Sequence, residues 1–479
     1  MSQSGVDGDQ RPASLALRLG WLAVMGAVFF STYGLANGLA AQRAAVPSFA
    51  FAWERAIPFV PWTIVPYWSI DFLYAFSFLL FKRRADLRDH VKRLLTVQFI
   101  SVACFLLWPL RFSFERPATE GVAGALFTLL MGFDKPYNQA PSLHIGLLVV
   151  LWAVYLRQTA RPAARLLLHL WFAAIGISVL TTYQHHVIDV PTGAAVGCLA
   201  LFLFPLRRRT GTDFPEQANE ADAVQQDADD RPSPLVGEGK RERGVLARRY
   251  VLAALALAAV TLALIPAAVG WALLTGWIAL ALACVAIIYW RNAPDAFQKN
   301  AAGRLPASML WLLAPTIVGA FLNSRAWTWR QPAPVTLAAR LSIGRAPTTS
   351  DMRQNRFTAL LDLTAEMPRW AALDGAFAYA ASPQLDLLAP SVAQLDHAVA
   401  ALDRLHGAGR KVLVCCALGY GRSALCAAAW LARQRGEHNA AAAFAAVRER
   451  QPNAVAAAAS LAVLQAWLDQ QAAQPKAAP

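Results

Sequence analysis

Residues 411–423, Lys411-Val-Leu-Val-Cys-Cys-Ala-Leu-Gly-Tyr-Gly-Arg-Ser423, decide the reading of this chain. The run Lys411-Val412-Leu413-Val414 has the length and apolar content of a buried strand. It ends at Cys415 and Cys416, and Gly419 and Gly421 follow at once. A helix is expected over 422–435, where alanine is abundant. A strand, a tight glycine-containing loop and a helix start converge backbone N–H groups and a positive dipole end on one point, which suits an anion. The same field favours a thiolate, so Cys416 is the candidate nucleophile. Arg422 is placed to take two phosphate oxygens at once, which a lysine cannot match.

The texture around this stretch is that of a soluble α/β domain over 335–472. Ala359-Leu360-Leu361 reads as a second buried strand, and helices are expected at 391–407, 422–435 and 439–470. A leaving alkoxide needs a proton, so a carboxylic acid is expected on a neighbouring loop.

The stretch resembles the Cys-x5-Arg-Ser loop of protein tyrosine and dual-specificity phosphatases, over roughly residues 338–470. Leu341-Ser-Ile-Gly-Arg-Ala-Pro347 and Leu361-Asp-Leu-Thr364 extend the likeness. The resemblance implies that Cys416 attacks phosphorus and becomes a cysteinyl-phosphate, that Ser423 assists release of the thiolate, and that Asp386 is the general acid. It implies a phosphate cradle made by Ala417, Leu418, Gly419, Tyr420, Gly421 and Arg422. One position departs from the pattern: the family usually has His just before the nucleophile, and here Cys415 stands there.

The rest of the chain is of another kind. Of 479 residues, 57% are hydrophobic and only 15% charged, whereas soluble domains carry roughly a quarter charged residues. Apolar runs at roughly 19–40, 58–81, 94–112, 143–157, 166–183 and 188–206, then 250–270, 272–290 and 306–323, each approach the ~20 residues that cross a bilayer. The formal charge of +14 sits largely in clusters beside these runs, such as Lys82-Arg83-Arg84 and Arg207-Arg208-Arg209. That placement fits the positive-inside bias of membrane proteins and not a nucleic-acid-binding face.

The organisation expected is a disordered N-terminus (1–18), a helical membrane domain (19–209), a polar linker (210–249), three further spans (250–323) and the α/β domain. The N-terminus is placed in the cytoplasm of an inner or plasma membrane. The first apolar run is read as an uncleaved span, not a signal peptide. Counting nine spans leaves the α/β domain outside. The six cysteines show neither a disulfide framework nor zinc-ligand spacing, and no metal or cofactor is required.

A second constellation lies in the membrane half. Asp134-Lys-Pro-Tyr-Asn-Gln-Ala-Pro-Ser-Leu-His144 opens one apolar run, and His185-His-Val-Ile-Asp189 sits at the turn between the next two. Ionisable groups at membrane depth are costly and mark sites. The pattern resembles the type 2 phosphatidic acid phosphatase superfamily over about 58–206, through Pro141-Ser-Leu-His144 and His185-x3-Asp189. That resemblance implies that His185 attacks phosphorus, Asp189 orients it and His144 protonates the leaving oxygen, on the outer face. Leu143 replaces the usual Gly, and Val179 follows Ser178 where the motif has Arg. These losses are similar to those of the sphingomyelin and inositol-phosphorylceramide synthase branch, which transfers phospho-headgroups between lipids. Arg111, Arg116 and Lys135 are the candidate phosphate clamps, and Asp71 is expected to pack against a polar partner.

The function expected is hydrolysis of phosphate monoesters at the cysteine site, with a His/His/Asp lipid-phosphatase-like site in the membrane half. The partners expected are a phosphorylated lipid or phosphoprotein substrate and membrane lipids. Two alternatives stand beside this reading: a lipid phosphotransferase in the membrane half, and a non-catalytic membrane-anchored phosphate-binding module.

Overall fold

A computed structural model describes residues 11–206, 234–372 and 377–473 of the chain. The chain divides into two compact units, Met1–Arg208 and Arg209–Pro479. The expected linker at 210–249 falls largely outside the described residues, as do residues 1–10 of the expected disordered N-terminus.

The first unit is helical. Its main helices are α1 (Leu15–Ala41), α2 (Ile64–Ser77), α3 (Arg84–Leu107), α4 (Gly121–Met131), α5 (Leu143–Gln158), α6 (Pro162–Thr181) and α7 (Asp189–Leu203). All six expected apolar runs are helical, but α5 and α7, at 16 and 15 residues, are shorter than a full span. Two boundaries differ from the sequence reading. Helix α3 begins at Arg84, inside the basic stretch expected as a loop, because Arg93 is buried and donates to the carbonyls of Phe204 (2.5 Å) and Pro205 (2.6 Å), just beyond α7. A cation there satisfies carbonyls that the helix leaves open. The stretch 113–142, expected as an outward-facing loop, contains α4, whose apolar stretch Ala123 to Met131 carries it.

Helices α5 and α7 meet backbone to backbone. A Cβ added at Gly193 would stand 2.5 Å from the Ser142 carbonyl oxygen, and one at Gly197 would stand 2.6 Å from that of Gly146. Small residues permit such an approach between helices. It brings the Ser142 N-cap of α5 alongside the Asp189 start of α7, with Ser142 N–H donating to the Asp189 carbonyl at 3.2 Å.

The second unit opens with two long helices, α8 (Pro234–Leu264) and α9 (Val269–Arg291). Among the described residues, Arg241–Leu264 and Val269–Arg291 are long and apolar enough to cross a membrane, as are Leu15–Ala41, Pro61–Leu80, Arg84–Leu107 and Pro162–Thr181. The span expected at 306–323 is not one helix. It is α10 (Ala307–Leu312) and α11 (Ala314–Trp327), broken at Leu313 just ahead of Pro315, whose ring cannot continue the α10 hydrogen-bond ladder.

A five-stranded sheet follows, in the order β1 (Val335–Ala338), β2 (Leu341–Arg345), β5 (Val412–Cys416), β3 (Ala359–Thr364) and β4 (Ala378–Gln384). All pairs are parallel except β1 with β2. The central strand β5 is buried at every position, as its continuous apolar run requires. On one face its Val412, Val414 and Cys416 join a core with α13 (Val392–Gly407), α14 (Arg422–Arg435), α15 (Ala440–Arg450) and α16 (Ala458–Ala473). Leu413 and Cys415 point to the other face, against Met352 of α12 (Thr349–Gln354), Phe357 and Leu360. The helix expected over 439–470 is therefore two, separated at Gln451-Pro452-Asn453, and the joining segment turns back so that Val455 N–H reaches the Tyr420 carbonyl.

The segment after α9 is fastened to the sheet by a buried ion pair. Lys299 Nζ lies 2.6 Å from Asp362 Oδ2 and also donates to the Thr364 carbonyl and hydroxyl. Burial works to raise the Asp362 pKa, but Lys299 and Thr364 outweigh it and hold the carboxyl below its ordinary range. A lowered folded-state value adds stability above the unfolded pKa of about 4, and that stability fades as pH falls through the folded value. Lys299→Met strands the carboxylate and is expected to cost roughly 3–5 kcal/mol at neutral pH. The deficit should shrink below about pH 4, as followed by urea unfolding across pH.

Candidate active sites

Cys416 ends β5 at the carboxyl edge of the parallel strands, where such sheets place ligand sites. Loop 417–421 then leads into α14. Gly419 has φ of +84°, and a Cβ there would stand 2.5 Å from the Gly344 carbonyl carbon, so only glycine fits. In that turn Gly419 N–H donates to Cys416 Sγ at 3.2 Å, and Ser423 Oγ lies 3.4 Å from the same sulfur. Both contacts stabilise negative charge on sulfur, beside the N-terminus of a 14-residue helix.

Strand alternation sets which of the two adjacent cysteines faces the loop. Cys415 faces the opposite side of the sheet, where burial, and then the Asp362 carboxylate, push its thiol well up. Cys426 is likewise raised, to about 12, by burial. Cys416 alone of the three meets the loop amide and the serine hydroxyl. Cys415 thus packs beneath the sheet as an apolar residue.

Arg422 is 5% exposed and gripped from one side. Its Nη1 donates to Glu366 Oε2 (3.0 Å) and to the Gln384 carbonyl (2.7 Å), and its Nη2 donates to Glu366 Oε1 (2.7 Å). Asp386 Oδ1 lies 3.0 Å from the same Nη2. Burial opposes the charge of Arg422, but Glu366 and then Asp386 overcome it and hold the pKa above its ordinary value. The Nε–H is buried and makes no hydrogen bond, which leaves a donor for an incoming oxygen. Glu366 was not singled out in the sequence. The only available signal was its place two residues beyond Thr364, and adjacency of β3 to β5 is a property of the sheet order.

The sequence-predicted residues Cys416, Ser423, Arg422, Asp386 and the loop 417–421 are therefore brought together. They can bind an oxyanion, attack it with sulfur and supply a carboxyl group beside it. Two elements outside the domain reach them as well. The Tyr289 hydroxyl, near the end of α9, donates to the Asp386 carbonyl at 3.1 Å, and the buried Ser324 hydroxyl of α11 donates to the Ala417 carbonyl.

In the first unit, His185 Nδ1 lies 3.0 Å from Asp189 Oδ2 and its Nε2 lies 3.1 Å from Ser142 Oγ. The spacing of four residues at the head of α7 gives this pair. The neighbouring His186 is held away from it by Glu54 (2.8 Å) and by the Ser113 backbone (3.1 Å), so it is a structural residue. His144 stacks on Tyr67 with ring centroids 4.3 Å apart, and its Nε2 has no hydrogen-bond partner. His144 and His185 both line a cavity of about 540 Å³, with Asp71, Asp134, Asn138, Tyr33 and a largely aromatic wall.

The expected clamps are elsewhere. Arg116 donates to the carbonyls of Thr182 and Tyr183 at the end of α6 and lies over the Phe127 ring, while Arg111 and Lys135 are exposed. No lysine or arginine lines the cavity among the described residues. Asp71 faces the cavity, not a packed polar partner.

Residues 341–470 match the family model described as "Dual specificity phosphatase, catalytic domain". Solved structures similar to this region include Tk-PTP in its active form (28% identity, 29% of this chain, 99% of that one, TM-score 0.27). Human DUSP28 is 26% identical (29% of this chain, 99% of that one, TM-score 0.27). A mouse putative dual specificity phosphatase complexed with zinc tungstate is also 26% identical (30% of this chain, 94% of that one, TM-score 0.27). No curated protein matches the chain.

Two substitutions test the geometry. Gly419→Ala should abolish turnover of p-nitrophenyl phosphate and lower the melting temperature, because the added Cβ meets the backbone of Gly344 in the buried strand β2. Glu366→Ala should lower stability by roughly 3 kcal/mol, the low end for breaking a buried pair since Asp386 remains. Added inorganic phosphate should restore part of that loss by binding the freed guanidinium, as read by thermal unfolding.

Proposed function

We propose that the dual-specificity-type domain, 341–470, hydrolyses phosphate monoesters through a Cys416 phospho-enzyme, in a chain that spans a membrane and acts on lipid phosphates. One observation carries the mechanism: the Cys416 sulfur sits under a loop amide and a serine hydroxyl, next to an arginine with a free Nε–H. A phosphate dianion enters the loop, and Arg422 grips two of its oxygens through Nε and Nη2. Asp386 is thereby displaced from Nη2 toward the leaving oxygen. Freed from the guanidinium, the Asp386 carboxylate takes up a proton from water. The Cys416 thiolate then forms the S–P bond as the P–O bond to the leaving group breaks, and Asp386 passes that proton to the leaving oxygen. Water, deprotonated by Asp386, then attacks phosphorus, and Ser423 donates a hydrogen bond to the sulfur as it leaves.

The placement of this domain follows from the hairpin α8–α9. Arg241, Arg243, Arg248 and Arg249 precede its first apolar stretch, and Arg291 closes its second. By the positive-inside rule that end is cytoplasmic. With the 306–323 span broken into two short helices, the expectation of an outside domain is withdrawn. A reducing cytoplasm also keeps Cys416 free, and all six cysteines are unpaired.

The His185 site supports a second activity, nucleophilic attack on a lipid phosphate, with Asp189 fixing the imidazole and His144 as the proton donor. Here transfer of a phospho-headgroup is favoured over hydrolysis of a monoester. A cavity with two carboxylates and, among the described residues, no lysine or arginine in its lining suits the single charge of a phosphodiester better than the dianion of a monoester.

Cys416→Ser and His185→Ala, each assayed on phosphatidic acid, phosphatidylglycerophosphate, a phosphoinositide and a phosphotyrosine peptide, separate the two sites. Cys416→Ser should abolish vanadate-sensitive phosphate release. His185→Ala should leave that release intact and abolish movement of labelled headgroup between lipids. Phosphate release that survives Cys416→Ser would overturn the cysteine mechanism.

A further inference from the structure

The loop that carries Asp386 has features that hydrolysis does not require. Leu387, the next residue, is 71% exposed and has φ of +61°, a left-handed conformation that is strained for a leucine. The strain holds an apolar side chain out of the protein beside the acid. Across the Tyr289–Asp386 hydrogen bond stands Trp290, 75% exposed, at the end of the membrane-length helix α9. Tyr289 stacks on Tyr250 of α8 (centroids 5.3 Å apart), and the exposed cations Arg248, Arg249 and Arg291 are their sequence neighbours. Aromatic side chains and arginines at the end of apolar helices mark the headgroup layer of a bilayer.

The phosphate loop has the same kind of neighbour. Ser324 of α11 holds the Ala417 carbonyl from the buried side of that helix, while Val318 and Leu322 on its other side are exposed. Both halves of the catalytic site are thus bonded to helices whose free faces are apolar.

We propose that the acid loop is seated in the headgroup layer, with Leu387 and Trp290 as its apolar anchors, so that the site turns over phosphate monoesters borne by lipids of that leaflet. The occupant of this surface is the bilayer, because the surface is continuous with the end of α9. The proposal rests on the cysteine-phosphatase reading and narrows its substrate class.

The test uses the full chain in vesicles of phosphatidylcholine with phosphatidylglycerol, in a His185→Ala background so that only the cysteine site acts. Leu387→Asp and the double variant Leu387→Asp/Trp290→Asp are compared with the parent on long-chain phosphatidic acid in the vesicles and on soluble p-nitrophenyl phosphate. Loss of apolar seating should lower vesicle turnover about 10-fold or more, the equivalent of one leucine kept in water. p-Nitrophenyl phosphate turnover should stay within about twofold, because that leaving group needs no proton from the acid loop. Equal turnover of the vesicle substrate by parent and variants overturns the seating. So does a parallel loss on both substrates, which marks Leu387 as structural, or a soluble phosphotyrosine peptide turned over faster than any vesicle lipid. A parent that cannot hydrolyse p-nitrophenyl phosphate defeats the phosphatase reading itself, and the seating with it.

Discussion

The charge balance at Arg422 governs the C-terminal site. A guanidinium buried this deeply cannot stay charged without anions close by, and Glu366 and Asp386 supply them. Glu366 bonds two nitrogens and fixes the plane of the group. Asp386 meets only one, and it is the more exposed of the two, at 41%. The two carboxylates therefore have different roles. In the proposed mechanism one is a permanent counter-ion that aims the guanidinium, and the other yields its place to a substrate oxygen and turns to proton transfer. A loop that releases its acid only when phosphate arrives couples binding to the arrival of the catalytic group, and it keeps the empty site electrically balanced.

Much of this was legible in residues 411–423. A strand, two glycines and a helix start are local features, and local features fix where Cys416, Gly419, Arg422 and Ser423 stand with respect to one another. Which of two adjacent cysteines faces the loop follows from the period-two alternation of the strand. Glu366 was hidden because its contact depends on β3 lying next to β5, and the order β1-β2-β5-β3-β4 is not written in any one segment. The break in 439–470 was missed because alanine-rich helices run on by composition, while Pro452 and the return of Val455 to Tyr420 interrupt them.

The helical unit divides along the same line. His185 and Asp189, four residues apart at a helix head, were readable as a pair. The clamps Arg111, Arg116 and Lys135 were offered as basic residues near an incomplete motif, and a basic residue alone does not tell a ligand from a cap. Arg116 found the open carbonyls at the end of α6 before it could find a cavity. Among the described residues the cavity is lined instead by two carboxylates and two histidines among aromatic rings.

Helix α11 shows how hydropathy misleads. Residues 306–323 have the composition of a span, yet Pro315 divides them, and the second piece spends its buried polar residue on the phosphate loop. A hydroxyl used that way fixes the helix to the domain whatever the solvent on its far side. Val318 and Leu322 on its opposite face are exposed. On the proposed seating, that face would lie against the bilayer, and a helix bonded on one side to the 417–421 loop and on the other to lipid would set that loop at the boundary between apolar and aqueous media.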